Sequence, residues 1–175
     1  VMKSQPKNTG YFVRRFAPLK ENFVVIGGTA MLLQIERRVD KRPRKTDDLD
    51  IIALDLSEDG QASDFLIEFG NYVDSCGYEC AALTSGKAQA YRFTKPTDPL
   101  APSQLEIATR RKEGIPLARP TQRLEEFEMS SIVCEPHFVE LLKIQREDLP
   151  LDEKGDELLP VASIPLLVVM KAYAF

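Results

Sequence analysis

The chain has 175 residues, of which 43% are hydrophobic and 29% are charged, and its formal net charge is −4. This composition indicates a folded globular domain and excludes a disordered chain. The acidic balance also excludes wholesale electrostatic binding to nucleic acid, although a local basic patch remains compatible with it.

The pattern of residues 1–56 predicts a helix, a strand, a Gly-Gly turn, a second helix, a loop and a second strand, in that order. Residues 11–20 predict a short amphipathic helix, and residues 23–26 (FVVI) predict a buried strand that ends at two glycines. Residues 29–38 contain good helix formers and a basic end, which is typical of a helix C-terminus. A basic loop broken by Pro43 then leads to a second strand over residues 48–56 (DLDIIALDL).

The remainder of the chain predicts one more helix and several strands. Phe65, Phe69, Tyr72 and Val73 recur at helical spacing within residues 62–76. Strands are predicted over residues 78–83, 88–94 and 104–109, whereas SIVCEPHF and ELLPVASIP are expected to form strand ends and connectors. The order of elements predicts an α/β (α+β) domain with a mixed sheet flanked by helices.

The apolar end of the chain predicts a buried turn and helix over residues 158–175. We therefore expect one domain over residues 1–160 and the start of a truncated helical region over residues 161–175, which favours association with another copy. The segment is interrupted by Pro160, Pro165 and Lys171 and is too short for a bilayer, which needs ~20 apolar residues, so no membrane association is predicted.

Histidine and cysteine are too few to build most catalytic sites. His137 is the single histidine, which argues against a Ser-His-Asp triad, and its position after Pro136 predicts a loop or strand end. Three cysteines without a regular framework, Cys76, Cys80 and Cys134, indicate reduced thiols. With no apolar signal segment at the N-terminus, these features predict a cytoplasmic protein.

Two aspartates open the second predicted strand. Side chains alternate along a strand, so Asp48 and Asp50 share one face while Leu49 and Ile51 point into the core. Two neighbouring carboxylates repel each other unless a cation or a proton neutralises them, and oxygen ligands are those that Mg²⁺ prefers. A charged turn before a buried strand would have the same residue pattern, so the two aspartates alone do not define a site.

Two further features extend this pair. Glu106 lies between apolar residues in a predicted strand, and it would face the same cleft if that strand were a neighbour. Gly27 and Gly28 precede a helix whose free N–H groups attract an anion, and Thr29 is placed to cap the helix or to donate to a phosphate. A tight turn explains the glycines equally well. The basic run from Arg37 to Lys45 is either a solvated loop or an attractor of polyphosphate or RNA.

These residues together resemble the nucleotidyltransferase superfamily with its polymerase-β-like fold. The resemblance rests on GGTA at 27–30, RKTDDLD at 44–50 and LEI at 105–107. Within the superfamily the chain looks most like the AbiEii-type group, which contains toxins of bacterial toxin–antitoxin systems. Arg44 and Thr46 before the aspartates support that group, as does a final segment that enters a helix carrying Lys171.

The resemblance implies a metal-dependent transfer of a nucleotide from a nucleoside triphosphate to a hydroxyl on RNA, protein or a small molecule. Asp48, Asp50 and Glu106 would bind Mg²⁺ (or Mn²⁺), and Lys171 would approach the phosphates. The expected nucleotide-binding residues are Gly27, Gly28, Thr29, Arg44 and Thr46. It also implies an antitoxin partner. The alternatives are a non-catalytic nucleotide-binding or regulatory module, a different Mg²⁺ phosphohydrolase, and, for Lys171, a lysine that merely extends to solvent from an apolar helix.

Overall fold

The computed structural model describes residues 8–39, 46, 48–54, 63–82, 88–108, 136–151 and 154–173. Within these ranges seven strands form one mixed sheet flanked by five α-helices, which confirms the predicted α/β (α+β) class. The strands are β1 (Phe23–Ile26), β2 (Asp48–Ala53), β3 (Glu79–Ala82), β4 (Ala88–Thr94), β5 (Gln104–Ala108), β6 (Arg146–Pro150) and β7 (Leu158–Ala162). The helices are α1 (Thr9–Phe16), α2 (Gly27–Arg38), α3 (Asp64–Ser75), α4 (Pro136–Ile144) and α5 (Ile164–Tyr173), with a 3-10 helix at Ala17–Asn22.

The strand that carries the aspartates lies near the middle of the sheet. The strand order is β3-β4-β5-β2-β1-β7-β6. β2 runs antiparallel to β1 and parallel to β5, and β1 runs parallel to β7. Because β2 has a neighbour on each side, its backbone is held in the sheet on both edges and its side chains have fixed directions.

An aromatic cluster fills one face of the sheet. Phe23 of β1 stacks on Phe65 of α3 with ring centroids 5.1 Å apart, and Phe12 of α1 stacks on Phe16 at 4.3 Å. The four rings are at most 1% exposed. Helices α1 and α3 therefore cover this face, and aromatic side chains contribute much of its buried apolar area.

The opposite face carries helix α2 and the polar side chains of β2, β4 and β5. Val24 and Ile26 of β1 face the same way as Ile52 and Asp50 of β2, because directly paired residues share a face. α2 packs over β1 and β2 on this side, and α5 contacts α2. The apolar half of this face is covered by helices, whereas the carboxylates lie where α2 begins.

Several predicted elements match the structure and two do not. The strands at residues 23–26 and 88–94 are confirmed, whereas β2 ends at Ala53 rather than at residue 56. The prediction that His137 occupies a loop or strand end was wrong, because it lies in the first turn of α4, where proline at the first helical position is well tolerated. ELLPVASIP was also misassigned, since it supplies β7 and the start of α5.

Strand β7 crosses residue 160, the predicted end of the domain, so the sheet continues past that point. Residues 131–135, including Cys134, lie outside the described residues. Cys76 is buried. Among the described residues, no helix has both the length and the apolar character required to cross a bilayer.

Candidate active site

Strand β2 presents its two aspartates on one side and its apolar residues on the other. Leu49 and Ile51 are each 1% exposed, whereas Asp48 and Asp50 are partly exposed. This confirms the alternation predicted from the sequence, in which the buried leucine and isoleucine anchor the strand. The two carboxylates are therefore held on the same face by the packing of their neighbours.

Strand β5 brings a third carboxylate to the same face. In the parallel pairing of β2 with β5, Asp50 lies opposite Glu106 and Asp48 lies opposite Gln104. β5 also alternates, with Leu105 and Ile107 buried and Glu106 partly exposed. The adjacency on which the expectation for Glu106 depended is thus present, and Asp48, Asp50 and Glu106 share one face of the sheet.

The N-terminus of α2 lies directly against Asp50. Gly27 has a left-handed backbone with a φ of 66°, and a Cβ atom on it would lie 1.9 Å from Oδ2 of Asp50. The backbone N–H of Gly28 donates a hydrogen bond to the Asp50 carboxylate. The glycines therefore allow the helix to begin against the protein's own carboxylate, which receives the favourable field of the helix N-terminus.

The two threonines near the glycines fix the start of β2. Thr29 is fully buried, and its hydroxyl donates to the carbonyl of Asp48 at 2.6 Å. The hydroxyl of Thr46 accepts the N–H of Asp48 at 3.4 Å and lies against Gly28. Both side chains position Asp48, and Thr46 is the one that is partly exposed beside the helix N-terminus. Arg44, the fifth expected nucleotide-binding residue, lies outside the described residues.

The electrostatics of the cluster centre on Asp50. Burial raises the pKa of Asp50 from its ordinary value of 3.8 to about 6, and the charges of Glu106 and Asp48 act in the same direction. The hydrogen bond from Gly28 and the charge of Arg92 act in the opposite direction. Asp50 is thus costly to ionise mainly because it is buried, and the two neighbouring carboxylates add to that cost.

Arg92 and Gln104 are the site residues that sequence reasoning missed. Arg92 lies opposite Glu106 in the antiparallel pairing of β4 with β5, and its Nε is 2.7 Å from Oε1 of Glu106. The Nε2 of Gln104 donates to the same oxygen at 2.7 Å. One signal in the sequence could have identified Arg92. It lies in the predicted strand directly before the LEI strand, and strand alternation allows it to lie on the same face as Glu106.

An open cleft of about 490 Å³ lies beside Asp48, where β2 and β5 begin. Asn8 shapes its wall, because its side-chain amide donates to the carbonyls of Pro99 and Ala101 at 2.7 and 3.0 Å. Asn8 and Lys95 both line the cleft, and they are the two non-glycine residues with positive φ in the described part of the chain. Such backbone conformations occur often at functional sites, so this cleft is a candidate binding space.

Lys171 lies apart from this cleft. It occupies the last turn of α5 with an exposed side chain, and it does not line the cleft beside Asp48. α5 contacts α2, the helix whose first turn meets Asp50. The structure therefore places Lys171 on a neighbouring helix, whereas Arg92 contacts Glu106 of the carboxylate cluster directly.

The donor set fits a hard divalent cation, although the carboxylates are not arranged around one. Across the described ranges, no three or more histidine, cysteine, aspartate or glutamate side chains are grouped so that they could hold a metal ion. All three candidate ligands are carboxylates, which suit Mg²⁺ or Mn²⁺. Arg92 offsets part of their negative charge through its contact with Glu106.

Comparison with known proteins adds no family to this description. No protein-family model matches the chain. A search of curated proteins likewise returns no match. A functional interpretation must therefore rest on the residues of the site.

Proposed function

We propose that this chain is a metal-dependent nucleotidyltransferase that moves a nucleotide from a nucleoside triphosphate to a hydroxyl acceptor. One observation carries the proposal: Asp48 and Asp50 of β2 share a face with Glu106 of β5, and that face meets the glycine-rich N-terminus of α2. Phosphoryl-type transfer depends mainly on positioning and charge neutralisation, which carboxylates, a metal ion and a few cations can supply.

Asp48, Asp50 and Glu106 are the residues that would hold Mg²⁺ or Mn²⁺. When bound, the metal would neutralise charge on the phosphates and help the acceptor hydroxyl to lose its proton. The buried residues Leu49 and Ile51 keep the two aspartates aligned. In this proposal Glu106 takes up the proton of the acceptor hydroxyl, and Gln104 orients it through the hydrogen bond to Oε1.

The two substrates would approach the carboxylates from different sides. The N-terminus of α2 and Thr46 lie on the β1 side of Asp50, where backbone N–H groups favour a triphosphate. The cleft lies on the β5 side of Asp48, and its volume of about 490 Å³ suits a small molecule or the end of a larger acceptor. Arg44 and Lys171 would add positive charge near the phosphates, and buried Thr29 would act by fixing Asp48.

The resemblance to AbiEii-type proteins extends the proposal to a cellular role. The chain would act in the cytoplasm as the toxin of a toxin–antitoxin system, with an antitoxin partner and RNA among its acceptors. The basic run over residues 37–45 precedes β2 and would attract such polyanions. Arg38 within that run is exposed and is paired with Glu147.

Transfer of radiolabel tests the proposal. The protein is incubated with each α-labelled nucleoside triphosphate, Mg²⁺ and total cellular RNA or protein, beside the variants Asp48→Asn and Asp50→Asn. We expect label to enter one acceptor class with the wild type, and a loss of at least about 100-fold with either variant. Glu147→Gln removes a carboxylate at the edge of the sheet, and it should transfer label as the wild type does. Absence of transfer from every nucleotide and acceptor, including small hydroxyl compounds, would overturn catalysis.

A non-catalytic nucleotide-binding or regulatory module is the second candidate. The observation in its favour is the contact of Glu106 with Arg92, which occupies the carboxylate expected to complete the metal site. This candidate predicts nucleotide binding in calorimetry without any transfer of label. Release of pyrophosphate or phosphate without a labelled acceptor would instead indicate a phosphohydrolase.

A further inference from the structure

The wall of the cleft beside Asp48 is formed by the loop that joins β4 to β5, residues 95–103 (the β4–β5 loop). This loop and the ends of its two strands supply most of the residues that line the cleft, and Asn8 and Asp48 supply the rest. The backbone angles of the loop are restricted by three prolines, Pro96, Pro99 and Pro102. A loop of this kind has little conformational freedom to lose, so it is suited to hold a binding surface in one shape.

The two ends of the β4–β5 loop are tied to the residues that follow α3. Near the start of the loop, the N–H and the hydroxyl of Thr97 both donate to the carbonyl of Cys76, at 2.9 and 3.1 Å. Near its end, the hydroxyl of Tyr78 donates to the carbonyl of Pro102 at 2.6 Å. Cys76 and Pro102 are both buried, so these contacts fix the loop to the body of the domain at its two ends.

Asn8 holds the middle of the β4–β5 loop. Its side-chain amide donates to the carbonyls of Pro99 and Ala101, at 2.7 and 3.0 Å. An asparagine directly before a helix ordinarily accepts a hydrogen bond from the first turn, but the side chain of Asn8 makes no such bond to α1. Its backbone is left-handed with a φ of 69°, a conformation that asparagine adopts more readily than most residues. Asn8 therefore joins the start of α1 to the cleft wall instead of capping the helix.

The β4–β5 loop is the part of the cleft that lies outside the sheet. Asp48 belongs to β2, where strands on both sides and the hydroxyl of Thr29 hold its backbone. Pro99 and Ala101 lie between two strands, and the hydrogen bonds from Asn8 hold their carbonyls in place. A shift of these two residues would change the space beside Asp48, because they line the same cleft.

We propose that Asn8 is a positioning residue that holds the β4–β5 loop in the shape that admits a small hydroxyl compound, or the hydroxyl-bearing end of a larger acceptor, beside Asp48. This inference rests on the proposed function, because it takes the cleft as the acceptor site. Asp48, Ser103 and Gln104 line the cleft with groups that exchange hydrogen bonds with a hydroxyl. Asn8 would act on the acceptor through the loop, without contact with the reacting atoms.

Two substitutions separate the side chain of Asn8 from its backbone. Asn8→Gly keeps the left-handed conformation without steric cost and removes the amide. Asn8→Asp keeps the shape and removes the donor, so a carboxylate faces two carbonyl oxygens. In both variants we expect amide hydrogen exchange at Leu100 and Ala101, whose N–H groups donate to Asp98, to become at least about fivefold faster. Exchange at Thr97 should stay as in the wild type, because the anchor at the start of the loop is intact.

Titration with glycerol and with D-ribose, two small hydroxyl probes, tests the effect on the cleft. Binding is followed by the amide chemical shifts of Ser103 and Gln104 in nuclear magnetic resonance spectra. We expect the wild type to bind a probe there, and both Asn8 variants to bind it about threefold to tenfold more weakly, because a smaller fraction of the protein has the loop in place. Arg14→Gln, which removes an exposed arginine of α1 that is paired with Glu157, should change neither exchange nor binding.

Equal binding of the probe by wild type and Asn8→Gly would overturn the positioning role, as would the absence of any shift at Ser103 and Gln104 in the wild type. The transfer assay distinguishes this result from failure of the proposed function. With the acceptor that takes up label there, Asn8→Gly should raise the KM of the acceptor at least about threefold and leave the KM of the nucleotide unchanged. Transfer of label with an unchanged acceptor KM would overturn this inference alone, whereas no transfer by the wild type would overturn the proposed function.

Discussion

Gly27 and Asp50 are in such close contact that no side chain can be added between them. The first residue of α2 has a φ of 66°, and a Cβ atom there would lie 1.9 Å from a carboxylate oxygen of Asp50. The glycine is therefore required twice, once by its backbone conformation and once by the carboxylate that lies against it. This contact links the helix N-terminus to the centre of the acidic cluster.

Gly27→Ala should destabilise the protein more than a glycine substitution with the same backbone requirement. The left-handed conformation costs a non-glycine residue roughly 1–2 kcal/mol, and displacement of Asp50 adds to that cost. Gly155→Ala is the matched control, because Gly155 has a φ of 76° and a Cβ atom added to it would meet no atom within 4 Å. Urea denaturation of both variants isolates the cost of the contact. Equal losses of unfolding free energy in Gly27→Ala and Gly155→Ala would show that Asp50 moves aside freely. The double variant Gly27→Ala/Asp50→Gly should recover the extra stability that Gly27→Ala loses relative to Gly155→Ala.

The contribution of Asp50 to the stability of the protein should fall as pH rises from about 4 to about 6. The pKa of Asp50 is about 6 in the folded protein and near 3.8 when unfolded, so the folded state binds more protons in this window. The stabilisation by protonated Asp50 is complete below pH 3.8 and is lost above pH 6, with an upper limit of about 3 kcal/mol.

Asp50→Asn should remove this part of the pH dependence. The amide oxygen can still accept the N–H of Gly28, while the repulsion from Asp48 and Glu106 is gone. We therefore expect the variant to be more stable than the wild type at pH 7.5 in urea denaturation, by roughly 1–3 kcal/mol. Glu147→Gln should keep the wild-type profile. A parallel pH dependence of wild type and Asp50→Asn would contradict the raised pKa.

A divalent cation should stabilise the protein more at pH 7.5 than at pH 5. Metal binding requires ionised carboxylates, and at pH 5 much of Asp50 is protonated because its pKa is about 6. Thermal melts with and without 10 mM MgCl₂ (on the order of a typical assay concentration) would show a larger rise in midpoint at the higher pH. Asp48→Asn should abolish the rise at both pH values. An equal rise in Asp48→Asn would assign the effect to ions bound elsewhere.

Thr29→Val should cost more stability than the similar shapes of the two side chains suggest. The substitution removes the donor of the 2.6 Å hydrogen bond from the buried Thr29 side chain to the carbonyl of Asp48, a contact that is itself partly buried. Loss of such a hydrogen bond costs about 1 kcal/mol. Thr29→Ser retains the hydroxyl and loses a methyl group, so it should lower the free energy of unfolding by about 1 kcal/mol. If Thr29→Val unfolds at the same denaturant concentration as the wild type, the hydroxyl does not hold Asp48.

Local patterns predicted the strands of the site well because those patterns reflect burial. The alternation in DLDII and LEI follows from one buried and one open face, and both strands occur as expected. The pairing of Arg92 with Glu106 was not predictable in the same way, because register between β4 and β5 depends on the intervening turn and on packing across the sheet. The glycines were recognised, but their closest neighbour proved to be Asp50.

The β6–β7 pair was missed for a related reason. Pro160 suggested a connector, since proline removes a donor from the ladder, and no element was predicted over residues 146–150. In the structure Pro160 lies within β7 and pairs with Asp148. The contact between β7 and β1 is short, with Val25 opposite Val161. A proline is tolerated where a strand needs few hydrogen bonds on one side.

The parallel pairing of β2 with β5 also determines when the site can form during folding. Asp50 and Glu106 are neighbours in the sheet but are far apart along the chain, and parallel strands require a long crossover between them. Such non-local contacts form slowly, because the entropy of closing the intervening loop is lost before the contact is gained. A nascent chain that has not yet reached β5 possesses both aspartates but not their partner. The acidic cluster therefore comes into being only with the closed sheet, so any activity it supports starts only after this chain has folded.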